Sequence, residues 1–255
     1  ISSFLPPLLA ELGLPTVIHG LDSVSPKYGL THRHINQALG LSVDHSTAEA
    51  KARIENTSIG WSYVDQKSYC KGLHDMVPLR DRVIKRTVIN TVETLIGPLR
   101  GKTTHSILGY VHKPYPPIYA HLVKASGMDT ALLVRGVEGG VVPSLRQKGL
   151  MISYQGTKEQ DRVDIDPSSI GIDQDMRAIS FPGEMDVKSD IKDLAEYTVK
   201  LGRSALSGEQ GMFYDGLVLS ASLILWHTKK SDSLADAAKI VRSTLDSGKV
   251  LNRLK

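Results

Sequence analysis

The residues best suited to chemistry in this chain are cationic and stand beside glycines. His19-Gly20 follows the apolar pair Val17-Ile18, His112-Lys113 follows Ile107-Leu108-Gly109-Tyr110-Val111, and Arg135-Gly136 follows Ala131-Leu132-Leu133-Val134. Gly139, Gly140, Arg146 and Lys148 come soon after. Lys and Arg at these places carry charge that an anionic partner such as a phosphate would meet. Lys113, Arg135, Arg146 and Lys148 either line a basic groove or are solvated charges, and spacing leaves both open. The same choice holds for Arg80, Arg82, Lys85 and Arg86, interleaved with Val83, Val88, Val92 and Leu95; there a solvated helix face is the commoner outcome.

The elements that must position these residues follow from apolar runs and their punctuation. Ile107 to Val111 is short and apolar enough for a buried strand. Pro116-Pro117 suits a helix start, Ile118, Leu122 and Ala125 recur at helical spacing, and Gly127 is a stop. Ala131 to Val134 returns as a second strand. A strand–helix–strand unit of this kind makes parallel neighbours, whose ligands sit beyond the carboxyl ends of the strands. Loops after Val111 and Val134 are therefore the first place to look.

Elsewhere a buried helix is expected over Phe4 to Leu12, and a short strand over Pro15 to Ile18 that delivers His19-Gly20. A polar loop follows from Leu21 to Thr31. Thr31 and Ser46 or Thr47 are helix caps, and Ile59 to Val64 is a strand. Asp65 to Asp75 reads as polar and irregular. Met151 to Tyr154 is a strand, and Lys158 to Asp166 a charged hairpin or loop. Three helices follow, over Asp190 to Leu201, Gly208 to Trp226 and Ser231 to Leu245. The resulting class is α/β, a mainly parallel central sheet flanked by helices, and no linker splits residues 1–255 into separate domains.

Composition narrows the function classes. With 255 residues, 41% hydrophobic and 23% charged, the chain can bury a substantial core. No apolar run reaches the roughly 18–20 residues of a membrane span, so no membrane partner is expected. The single cysteine, Cys70, excludes an intrachain disulfide and a cysteine-based zinc site, and points to an intracellular, reducing compartment: cytoplasm, or plastid in a plant. A net charge of +4 fits either ordinary surface lysines or an anionic partner. Asp164, Asp166, Asp173 and Asp175 lack the glycine and closing Glu of a calcium loop, and are read as no metal site.

The order of motifs resembles glycosyltransferase family 3, typified by anthranilate phosphoribosyltransferase. The resemblance rests on Ile18-His19-Gly20-Leu21, Ser23-Val24-Ser25, Gly29-Leu30 and Gln37-Ala38-Leu39-Gly40. It continues through Arg80, Arg86-Thr87, Leu95-Ile96-Gly97-Pro98-Leu99 and the strand–His–helix–strand–Gly unit. Leu206-Ser207-Gly208-Glu209, Leu219-Ser220-Ala221-Ser222 and Asp246-Ser247-Gly248-Lys249 close the match, which covers nearly the whole chain. It implies the family's large α/β domain, phosphoribosyl transfer from phosphoribosyl pyrophosphate (PRPP) to an aromatic amine, and Mg2+ on the pyrophosphate. It also implies substrate-binding roles for His19, Gly20, Ser23, Ser25, Arg80, Arg86 and His112, with Arg80 facing the acceptor carboxylate and Lys27 as a further anion contact.

Several positions depart from the family pattern. Ile18 and Leu21 replace a lysine and an asparagine, and Leu30 replaces a serine. Val141 and Val142 stand where the magnesium-binding acidic pair falls, and valine cannot ligate the ion. No metal ligand is therefore assigned. The chain opens at Ile1 and is expected to be a fragment without the family's N-terminal helical domain and phosphate loop. Three functions fit these residues: a transferase with altered acceptor and metal use, a divergent nucleic-acid-binding branch using a basic cleft, or a fold-retaining partner subunit. Either a phosphorylated small molecule or nucleic acid is the expected partner, and the full-length protein is expected to form a homodimer.

Overall fold

The structure, a computed structural model, describes residues 1–22, 28–177, 183 and 189–255. Among these the strands are β1 (Thr16–Gly20), β2 (Trp61–Asp65), β3 (His105–Gly109), β4 (Thr130–Val134), β5 (Gly149–Gln155) and β6 (Lys158–Ile165). The helices are α1 (Leu5–Glu11), α2 (His32–Ala38), α3 (Thr47–Glu55), α4 (Gln66–Tyr69), α5 (Lys71–His74), α6 (Val77–Val83), α7 (Val88–Leu95), α8 (Tyr115–Ala125), α9 (Ile191–Leu206), α10 (Met212–His227) and α11 (Leu234–Asp246). They fall into two compact units. One comprises residues 1–5, 100–179 and 208–247, the other residues 6–99, 180–207 and 248–255.

The first unit holds a four-stranded sheet in the order β3-β4-β5-β6. β3 and β4 are parallel, with Ile107 opposite Leu132 and Gly109 opposite Val134. β5 and β6 extend the sheet as an antiparallel hairpin. Thr130-Ala131-Leu132-Leu133-Val134 is buried throughout, as a strand covered on both faces must be. Leu132 and Leu133 are completely buried, and such side chains each contribute about 1.5–3 kcal/mol. β6 is one of the sheet's two edge strands, and its exposed Lys158, Glu159, Gln160 and Asp164 discourage further pairing. α8 starts on Pro116-Pro117, which need no N–H partners there, and ends at Gly127 in the left-handed region at φ 77°. α10 is buried along almost its whole length and packs on α11.

The second unit pairs β1 and β2 in parallel, Thr16 with Trp61 and Gly20 with Asp65. Trp61, Tyr63 and Val64 are core, with α2 and α3 packed on the strands. α3 is closed by a capping box in which Ser46 and Glu49 satisfy each other's free N–H groups. The segment Asp65 to Asp75 is not irregular. It forms the single-turn helices α4 and α5, because the Asp65 carboxylate accepts the Lys67 N–H at 3.0 Å and starts the first. The Pro78 to Leu99 stretch is two helices, α6 and α7, broken at Ile84. That residue is left-handed at φ 54° and 69% exposed, an unfavourable place for a β-branched side chain.

Candidate functional site

In the first unit β4 leads into one tight loop, against which the carboxyl end of β3 lies. Arg135 N–H bonds Leu150 O at 2.9 Å, after which the chain folds back so that Val137 N–H reaches Val142 O at 2.9 Å. Gly139 and Gly140 donate to Gly136 O and Val137 O at 3.2 and 2.9 Å. These amides are consumed inside the loop. A Cβ on Gly136 would overlap the Gly140 carbonyl, and one on Gly109 would overlap the Gly139 and Gly140 carbonyls. Glycine is thus required by backbone-on-backbone contact at the end of β3.

Around this loop the side chains are cationic and aromatic. His112, Lys113 and Arg135 are exposed. The His112 and Tyr115 rings lie 5.7 Å apart, and Tyr115 and Tyr119 repeat that spacing, so three rings form a ladder along the start of α8. Lys113 and Arg135 have no carboxylate partner among the described residues. Arg146 and Lys148 do not join them as free charges: Arg146 donates to Asp175 O at 3.2 Å, and Lys148 pairs with Asp166 at 2.9 Å. Val141 and Val142 are partly buried. Their hydrocarbon side chains do not fit the donor set of a magnesium site, and no cluster of three metal-ligating side chains occurs among the described residues.

The second unit places His19 and Gly20 at the end of β1. Tyr69, on α4, bonds His19 Nδ1 at 2.8 Å and packs edge-on against the ring. Burial, with Cys70, Glu93 and Asp65 nearby, holds the Tyr69 hydroxyl protonated far above its usual range. The protonated hydroxyl can donate to or accept from Nδ1, and the imidazole tautomer sets the direction. Tyr69 thus gives His19 a side-chain partner at the strand end. Beside it, the buried Asp65 carboxylate accepts from Arg33 at 2.8 Å and from Tyr63 at 3.2 Å. Burial opposes the Arg33 charge, but Asp44 and Asp65 more than offset it and raise the pKa.

Arg80 is not a surface arginine. It is 3% exposed and bonded to Glu93, to which Gln66 also donates at 2.9 Å. Arg86 is exposed, as a solvated face would have it. Ser23, Ser25 and Lys27 lie outside the described residues. Arg33, Asp65, Gln66, Tyr69 and Glu93 went unremarked in the sequence. The available signal was an acid directly after the apolar run Trp61 to Val64, at a strand's carboxyl end.

This architecture is that of an α/β domain with its polar side chains gathered at the carboxyl ends of parallel strands. The description "Glycosyl transferase family, a/b domain" matches residues 1–251, and the chain belongs to this family. It is 25% identical over 252 residues to anthranilate phosphoribosyltransferase of Thermomicrobium roseum, covering 97% of this chain and 67% of that protein. An uncharacterised protein of Aquifex aeolicus is 24% identical over 90% of this chain and 64% of its own length. The chain thus spans about two thirds of the relatives it matches. Among solved structures, anthranilate phosphoribosyltransferase from Thermus thermophilus superposes with a TM-score of 0.74 at 21% identity, covering 99% of this chain and 70% of that one. The Saccharomyces cerevisiae enzyme in complex with PRPP and Mg gives 0.75 at 16% identity, over 99% and 66%. These likenesses establish the α/β fold. No helix among the described residues is long and apolar enough to cross a membrane.

Proposed function

We propose that residues 1–255 are a single anthranilate phosphoribosyltransferase-like α/β domain that binds a phosphorylated small molecule of the PRPP class. In this reading phosphoribosyl transfer to an aromatic amine is altered or lost. The observation that carries it is the loop after β4, which keeps its glycine-built backbone while presenting Val141 and Val142 where the family's acidic pair falls. Lys113, Arg135 and His112 supply the anion contacts in the first unit; the substrate-binding role of His19, in the second unit, is part of the proposal in its own right. Arg86, Ser23, Ser25 and Lys27 belong to the same proposal, as do a homodimer of the full-length protein and a cytoplasmic or plastid location.

The test is calorimetric titration of the full-length protein with PRPP, with and without Mg2+. Wild type is expected to bind PRPP without help from the ion. Val141→Asp/Val142→Glu is expected to gain at least about tenfold in affinity when Mg2+ is added, about 1.4 kcal/mol. Magnesium-dependent turnover of anthranilate by wild type would overturn the reading.

A second reading, nucleic-acid binding, is favoured by one feature: the His112–Tyr115–Tyr119 ladder with Lys113 beside it suits stacked bases and a phosphate backbone. Anisotropy with a labelled single strand should then show affinity that falls steeply with salt and drops on Tyr115→Ala. Salt-independent or absent binding removes this alternative.

A further inference from the structure

In the second unit two donors converge on one carboxylate oxygen. Arg80 Nη1 and Gln66 Nε2 both donate to Glu93 Oε1, and all three side chains are buried, Gln66 to 1% and Glu93 to 8% exposure. Gln66 holds this orientation although its own Oε1 is left buried without a partner. Turned over, the amide would set oxygen against oxygen, so the carboxylate dictates which way it faces. A planar guanidinium and an amide N–H around a single carboxylate oxygen make a carboxylate receptor.

We propose that Arg80 and Gln66 form a carboxylate-binding cup that Glu93 fills from within the chain, so that the amine acceptor of this protein carries no carboxylate. The statement about the acceptor rests on the phosphoribosyltransferase-like reading above; the cup itself does not. Glu93 reaches the cup from α7, the helix that follows the left-handed turn at Ile84, while Arg80 comes from the helix before it. A tethered carboxylate competes at high effective concentration with any free one. An aminobenzoate entering this cup would have to displace Glu93 and leave that carboxylate buried without its donors. A neutral aromatic amine makes no such demand.

Chemical rescue tests the cup. Glu93→Ala removes the internal carboxylate and leaves a space that acetate fills. Sodium acetate, at about ten times its dissociation constant, is expected to raise the melting temperature of full-length Glu93→Ala by about 3–6 °C beyond sodium chloride. Wild type and Glu93→Ala/Arg80→Gln are expected to show no acetate-specific shift. If acetate leaves Glu93→Ala no more stable than chloride does, the cup is overturned. A measurement needing no variant guards against one that fails to fold: fluorescence titration of wild type with anthranilate is expected to give no saturable binding, and saturable binding overturns the proposal. PRPP titration of the same sample reports separately on the phosphoribosyltransferase-like reading. Lost PRPP binding with intact acetate rescue sinks that reading and the acceptor statement while the cup stands.

Discussion

At the end of β4 the chain is closed by backbone alone, with glycine carbonyls and amides meeting so tightly that a methyl group would not fit. At the end of β2 the same task falls to side-chain charge: buried Asp65 is paired with half-buried Arg33, and buried Glu93 accepts from Gln66 and Arg80. The first arrangement does not depend on the side chains of Val141 and Val142, since Val142 joins it only through its backbone carbonyl. The second does depend on its side chains, because each charge needs a partner that water cannot replace. Side-chain changes beside the glycine loop leave its bonds in place, whereas changes among the buried charges remove theirs.

The largest expected effect breaks the charged region. Arg80→Ala strands Glu93 and is expected to cost about 3–5 kcal/mol in urea denaturation. Next comes a pH effect in the glycine-loop unit. His227 is buried between Thr130 and Ser153, each 2.9 Å from a ring nitrogen, and burial, then His105 and Lys229, lower its pKa to about 4. Between the ordinary value of 6.5 and about 4 the unfolded chain binds more protons than the folded one. Stability is therefore full above pH 6.5 and falls as pH drops through that window, by on the order of 3 kcal/mol in all. Denaturation midpoints measured against pH should show this slope, and His227→Gln should flatten it.

Gly136→Ala sharpens the comparison from the backbone side. Its methyl meets the Gly140 carbonyl, and a loss of about 1–3 kcal/mol is expected by thermal unfolding. Gly20→Ala is the control at the end of β1. There a Cβ would meet only the Tyr63 ring at 3.9 Å, an ordinary contact, so the change should stay within about 0.5 kcal/mol. Equal losses at the two glycines would erase the distinction between the regions.

What could be read from the sequence follows the same division. β3, α8 and β4 are written in consecutive residues: apolar runs, a proline pair and a terminating glycine, each acting on its own neighbours. The boundary of β3 lies two residues earlier than the apolar run suggests: Gly109 abuts the Gly139 and Gly140 carbonyls, and beyond it only Tyr110 still donates to Val134. The charged region was opaque because its information is pairwise. Nothing near Arg80 reveals that a glutamate on another helix will neutralise it, and charges at α6 spacing look the same whether solvated or buried. Likewise Asp65 and Gln66 read as loop residues by type, although both are core.

Ile84 gives that pairing a mechanical side. A left-handed β-branched residue costs roughly 1–2 kcal/mol, and here it lies on the connection between the helix carrying Arg80 and the helix carrying Glu93. Ile84→Gly would remove that local cost while leaving both helices and the ion pair in place. A gain of stability in urea denaturation on Ile84→Gly would then mark how much of this connection's geometry is set by the ion pair across it.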